Sequence, residues 1–215
     1  MIKAIIFDMN GVIIDDLAIH SIAFNEVLRA YGISIPLQVY LDTFAGKTDR
    51  GGFEDVAKQF SIELPVDELL ENKGEAYLKL FPEHKKSYPG VIELIKNLSE
   101  NYTLALASSA TRVEIDLITK EFGIDSYFKV VVSAEDVAQG KPNPEPYLKA
   151  ASLLKVSPDE CVVIEDAIDG VKAAKSAGCM CIRVATTHPK GLATNADRTV
   201  DSFEEIAEVI EQFSQ

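Results

Sequence analysis

Four short polar clusters interrupt apolar stretches of this chain, and their side chains suit one kind of chemistry. They are Asp8-Met9-Asn10-Gly11-Val12, Ser108-Ser109, Gly140-Lys141-Pro142 and Glu165-Asp166. Brought together, they offer three carboxylates, a hydroxyl and an ammonium, a set suited to a hard cation and an oxyanion. Each has a plainer alternative when taken singly. Asp8 can be a turn or cap residue, Ser108 and Asp166 can start helices, and Lys141 can be a solvated loop lysine.

The flanking residues indicate how such a set would be positioned. Short β-branched runs at 3–7, 103–107, 129–132, 161–164 and 181–185 each lead to a turn and then to a helix-like stretch. The helical spacing covers 91–99, 113–122, 145–154 and 168–177, with Gly178 as a C-cap and a last helix at 202–213. Nearly continuous apolar strands alternating with helices predict a doubly wound α/β domain, its parallel sheet covered on both faces. Ligands of such sheets bind beyond the carboxyl ends of the strands, which is where the four clusters fall.

Residues 16–86 break the alternation. About three helical segments, 17–31, 39–44 with 51–60, and 66–80, come with no convincing strand, and Pro82 and Pro89-Gly90 punctuate the return. The expected organisation is a core domain of 1–15 and 87–215 and an inserted α-helical cap of 16–86.

Composition narrows the classes of function. The 215 residues are 47% hydrophobic and 26% charged, as in an ordinary globular protein. The 34 acidic and 21 basic residues leave a formal charge of -13, which disfavours nucleic acid and anionic membrane surfaces as partners. An anionic substrate would then need a metal and a few local cations. No apolar run reaches the roughly 20 residues that span a bilayer, and the start lacks a signal-peptide pattern, so a cytoplasmic protein is expected; a monomer is the expected state. Cys161, Cys179 and Cys181 suggest reduced core thiols rather than a disulfide framework.

In that order, Asp8-x-Asn10-Gly11-Val12, Ser108, Lys141 and Glu165-Asp166 resemble the four motifs of the haloacid dehalogenase (HAD) superfamily. The likeness covers nearly the whole chain and is strongest to the helical-cap group with β-phosphoglucomutase and sugar phosphatases. The resemblance implies a Rossmannoid core and a Mg²⁺-dependent phosphatase of small phosphorylated metabolites, with sugar phosphates as the expected substrates. In it Asp8 is the nucleophile that forms an aspartyl-phosphate, Ser108 and Lys141 hold the transferring phosphoryl, and Ser109 lies beside the substrate. Asp8, the Asn10 carbonyl and Asp166 would hold Mg²⁺, with Glu165 supporting the set.

The chain departs from the family at position 10, where a second Asp usually carries the proton of the leaving group. Losing a positioned general acid–base costs about 10²–10⁴ in rate. Asn10 is therefore open to three readings: a replacement that slows turnover, a native enzyme using another group or an activated leaving group, or a weak catalyst with a binding role. Asp15 and Asp16 are candidate substitutes, although capping also explains Asp16. In the cap, His20, Gly46, Thr48 and Lys73 fall where the resemblance places substrate contacts. A solvated helix face explains His20 and Lys73 as well. Asp49 stands where the mutase keeps a phosphate-gripping arginine, with Arg50 one place away. His84 and His188 read as loop residues. The rivals are a β-phosphoglucomutase-type isomerase and a phosphometabolite-binding protein that does not turn over.

Overall fold

The computed structural model describes residues 1–44 and 48–213. The chain divides into two compact units, Met1–Ile14 with Ser87–Gln215, and Asp15–Lys86.

The first unit holds a sheet that, among the described residues, has six parallel strands. They are β1 (Ala4–Phe7), β2 (Thr103–Ala107), β3 (Phe128–Val132), β4 (Cys161–Glu165), β5 (Met180–Val184) and β6 (Arg198–Val200), in the order β3-β2-β1-β4-β5-β6. β1 and β4 are buried along their whole length, the mark of strands covered on both faces. The strand order reverses between β1 and β4, the switch point at which sheets of this kind open a crevice for a ligand. Asp8 follows β1 directly, and Glu165 ends β4 with Asp166 next. Three carboxylates therefore flank the switch point.

Five expected strands are present within a residue or so of their predicted ends. β6 was not anticipated, since three residues of the sequence Arg-Thr-Val give too short an apolar signal to separate from a loop.

Helices in this unit begin and end for local reasons. The helix Arg112–Glu121 opens on a capping box, in which Thr111 and Glu114 satisfy each other's backbone N–H groups. The helix Ile168–Ala177 ends at Gly178, whose φ of 86° is the left-handed conformation that glycine adopts without cost.

The elements of the second unit, among its described residues, are all helical: α1 (Leu17–Leu28), α2 (Leu37–Thr43), α3 (Asp49–Phe60) and α4 (Val66–His84), with a 3₁₀ turn at Arg29–Tyr31. It is thus an inserted helical cap, although with four helices rather than about three, because Pro36 starts α2 as a separate element. α4 also runs through Pro82, which the sequence suggested as a break. Pro82 lies in its last turn, where few backbone bonds remain to be lost.

The cap has its own apolar centre. Phe24 of α1 stacks on Phe53 of α3 with centroids 4.5 Å apart, and Tyr40 and Phe44 lie against the same ring. Truncating Phe24 to Ala should cost about 3–5 kcal/mol, read by urea unfolding. Ile22→Ala, at a half-exposed position of the same helix, should cost under about 1 kcal/mol.

Candidate active site

The turn after β1 is what brings Asp8 and Asn10 to the sheet edge. Asp8 donates its backbone N–H to Ile164 of β4, extending the ladder by one residue, and the N–H groups of Val12, Ile13 and Ile14 all converge on the Met9 carbonyl. Buried Met9, Val12, Ile13 and Ile14 anchor this turn in the core. Gly11 has φ 81°, and a Cβ there would overlap the Asp166 carboxylate. Both the backbone conformation and the close approach require glycine.

Lys141 links the site electrostatically. Its buried ammonium donates to Asp8 Oδ1 at 2.6 Å and to Glu165 Oε1 at 2.7 Å. Burial opposes its charge, yet the two carboxylates outweigh that cost and hold Lys141 above its ordinary range. It is no solvated loop lysine.

Glu165 is saturated with donors. Oε1 also accepts from Tyr147 Oη at 2.9 Å, and Oε2 accepts the backbone N–H groups of Asp166 and Ala167 at 2.8 and 2.9 Å. The carboxylate lies against the first turn of Ile168–Ala177, where a Cβ on Gly170 would overlap it. This arrangement suits a support for Lys141 and for the loop carrying Asp166.

Asp166 is left with an open valence. Oδ2 accepts from the Thr187 hydroxyl, whereas Oδ1 is buried and has no hydrogen-bond partner among the described residues. Such a carboxylate oxygen costs free energy unless a cation meets it. Oxygens of Asp8, Glu165 and Asp166 lie within 4.8 Å of one another. This is an acidic cluster consistent with metal coordination, all oxygen in character as hard divalent cations prefer. The residues present fit Mg²⁺.

The same imbalance of charge shows in the acids. Burial pushes the Asp8 carboxyl up to about 7, against the pull of Lys141 and helped by the Glu165 charge. Asp166 is raised well above the carboxylate range by burial, then by Glu165 and Asp8.

Ser108 follows β2, with its N–H on the Val132 carbonyl. Its hydroxyl donates to Asn10 Oδ1 at 3.3 Å and accepts from the Ala110 N–H at 3.1 Å. Helix starts are taken by Thr111 and Ala167, so capping accounts for neither Ser108 nor Asp166. Ser109 is half-buried beside Ser108. The core residues of the four clusters thus lie at one sheet edge, as the strand-end rule predicts.

Within the cap, Lys73 and His20 are buried, so the solvated-face alternative fails for both. Lys73 Nζ lies 2.7 Å from Asp49 Oδ2 and 2.6 Å from His20 Nδ1. An ammonium only donates, so His20 Nδ1 accepts and its Nε2 faces Asp16 Oδ2 at 3.3 Å. Tyr77 completes the group, stacking on His20 at 4.5 Å and donating to Asp16 Oδ2 at 2.6 Å. Asp16 precedes α1 without a side-chain cap; its Oδ2 instead accepts from Tyr77 and faces His20. Asp15 pairs with Lys86, Arg50 with Asp67, and Thr48 caps α3 by accepting the Gly51 N–H. Gly46 lies outside the described residues.

Sequence reasoning missed Tyr147, Gly170 and Thr187. Tyr147 is one apolar-face position of an amphipathic helix, with nothing local to mark it. Thr187 stands just past β5, so the strand-end rule pointed there, but an uncharged Thr-Thr pair drew no notice.

A model of the haloacid dehalogenase-like hydrolases matches residues 5–184. The phosphorylated carbohydrates phosphatase of Thermotoga maritima is 33% identical over 177 residues, covering 82% of this chain and 82% of the phosphatase. β-Phosphoglucomutase from Clostridium difficile has the same fold, with a TM-score of 0.88 at 25% identity over 100% of this chain and 98% of that one. A CbbY variant from Rhodobacter sphaeroides, with aspartate changed to asparagine and xylulose-(1,5)-bisphosphate bound, gives a TM-score of 0.84 at 29% identity, over 95% of this chain and 96% of that one.

The raised acids carry a testable sign. An acid with a higher pKa when folded lends stability at low pH, and this is lost as pH rises from about 4 to about 7. A cation competes with those protons, so Mg²⁺ should raise the urea midpoint more at pH 8 than at pH 5. An equal rise at both pH values would contradict the assignment of these carboxylates to the cation. Gly170→Ala should displace Glu165, lowering stability by more than 1 kcal/mol on the order-of-magnitude scale for overpacking, as read by the same urea titration.

Proposed function

The chain belongs to the haloacid dehalogenase-like hydrolases, and on that premise we propose that it is a Mg²⁺-dependent phosphatase of small phosphorylated metabolites, sugar phosphates foremost. The observation that carries this reading is the Asp8–Lys141–Glu165 bridge beside an Asp166 oxygen with no partner among the described residues.

Asp8 attacks phosphorus through a carboxylate oxygen; an O–P bond forms and the ester P–O bond breaks, leaving an aspartyl-phosphate. Lys141 keeps Asp8 oriented and faces the incoming phosphoryl with positive charge, and the Ser108 hydroxyl is placed to donate to a phosphoryl oxygen. Asp8, the Asn10 carbonyl and Asp166 would hold Mg²⁺, with Glu165 in support. When bound, the ion supplies charge neutralisation between the two anions that must meet. Water then attacks the aspartyl-phosphate, releasing inorganic phosphate and restoring Asp8.

Asn10 sets the limit on this cycle. An amide can donate a hydrogen bond to the leaving oxygen but cannot deliver a proton to it or take one from water. The departing alkoxide of a sugar phosphate has a high proton affinity and suffers most; p-nitrophenyl phosphate and acetyl phosphate suffer less. The CbbY variant, which carries an asparagine replacement and holds a sugar bisphosphate, supports reading this site as one that binds a sugar phosphate.

The mutase reading draws on the fold of the Clostridium difficile enzyme. It is weakened by Asp49, a carboxylate already paired with Lys73 where the mutase keeps a cation for a second phosphate.

A panel of phosphate esters assayed with and without Mg²⁺ tests the function. Release of inorganic phosphate supports the phosphatase, and isomer formation without release supports the mutase. Tight binding of esters without turnover would contradict both and favour a binding protein. Asn10→Asp should raise sugar-phosphate turnover by about 10²-fold or more and help activated esters less in the first half-reaction. Single-turnover kinetics on both substrate types measures it; unchanged rates would show that another group carries the proton.

A further inference from the structure

Beyond β5 the chain makes three attachments that none of the four sequence clusters contains. The Thr187 hydroxyl donates to Asp166 Oδ2, and the Thr186 hydroxyl donates to the Gly11 carbonyl at 2.5 Å. Arg183 of β5, fully buried, donates to the carbonyls of His188 at 3.2 Å, Pro189 at 2.9 Å and Lys190 at 3.4 Å. A guanidinium is costly to bury, and here its Nη1 and Nη2 groups gather carbonyls of one short segment. Residues 186–190 are therefore fixed from β5 on one side and tied to the two acid-bearing loops on the other.

We propose that Thr187 is a positioning residue for the divalent cation, holding Oδ2 of Asp166 so that Oδ1 stays turned to the metal. The inference rests on the reading of the acidic cluster as a Mg²⁺ site and adds a residue to it.

The geometry of Asp166 is the reason. Its two oxygens differ: Oδ2 has the Thr187 hydroxyl, and Oδ1 is buried without a partner among the described residues. Rotation about the carboxylate bond would exchange them, and the hydroxyl favours one orientation. Gly11 packs against the same carboxylate and blocks movement toward the β1 turn, while Thr186 holds that turn through the Gly11 carbonyl. Groups that orient a metal ligand without touching the metal typically contribute 10–100-fold to affinity, on the order of what the ligands' freedom would otherwise cost.

Thr187 is itself oriented. Its oxygen lies 3.0 Å from His188 Nδ1. A hydroxyl has one proton; with Asp166 ionised, as a bound cation would keep it, that proton goes to Oδ2, and the His188 tautomer protonated at Nδ1 donates to the Thr187 lone pair. In the cation-bound state the chain His188–Thr187–Asp166 has a single direction of donation.

The test uses the full chain and Mn²⁺, a paramagnetic probe for Mg²⁺ sites, with free Mn²⁺ followed by EPR during titration. Thr187→Val keeps the shape and removes the hydroxyl; Thr187→Ser restores it. The expected result is Mn²⁺ binding about 10–100-fold weaker in Thr187→Val and within about threefold of the parent in Thr187→Ser. Urea midpoints measured without metal separate misfolding from loss of orientation. Parent-like Mn²⁺ affinity in Thr187→Val overturns the role of Thr187 and leaves the metal site standing. A parent chain that binds no Mn²⁺ overturns both. If both variants lose affinity together with stability, the hydroxyl is not the orienting group, and the proposal fails.

Discussion

The site depends on one buried cation between two buried anions. Lys141 joins Asp8, just past β1, to Glu165, the last residue of β4, and thereby bridges the switch point of the sheet. Breaking a buried pair leaves an uncompensated charge and costs several kcal/mol, so each partner constrains the other two. Glu165 can accept Lys141 because Tyr147 and two backbone N–H groups satisfy its other lone pairs, and because Gly170 leaves room for it. A glycine, a tyrosine and a helix start thus serve one carboxylate.

The arrangement also leaves a deficit of positive charge. Three carboxylates share one ammonium in a buried place, which is why burial and mutual repulsion raise both Asp8 and Asp166. A divalent cation and a phosphate group together would balance such a site, since the cation covers the carboxylates and the ammonium faces the phosphoryl. An overall charge of -13 makes this local balance more consequential, because the rest of the chain repels an anionic substrate.

Much of this was legible in the sequence because strand ends are. Apolar runs of four or five residues ending in Asp, Ser or Glu-Asp give both the sheet and the edge on which it does chemistry. What stayed hidden was non-local. Lys73, within Glu71-Asn72-Lys73-Gly74-Glu75, has the local look of a solvated face, yet Asp49, 24 residues away, and His20, 53 residues away, make its burial tolerable. Asp16 has the position of a helix cap and spends its side chain on Tyr77, 61 residues on. Neither partnership leaves a periodic or motif-like trace. α2 and β6 were blurred for the opposite reason, being too short to establish a period.

The central claim is that Asp8 becomes covalently phosphorylated, and it can be measured directly. Parent protein mixed with Mg²⁺ and acetyl phosphate, quenched in acid within the first turnover and digested, should yield the Asp8 peptide heavier by one phosphoryl group. That mass should be lost on treatment with hydroxylamine, and the Asp8→Asn protein should never show it. Turnover of acetyl phosphate by the parent with no phosphorylated Asp8 peptide, or turnover by Asp8→Asn at the parent's rate, would contradict the account.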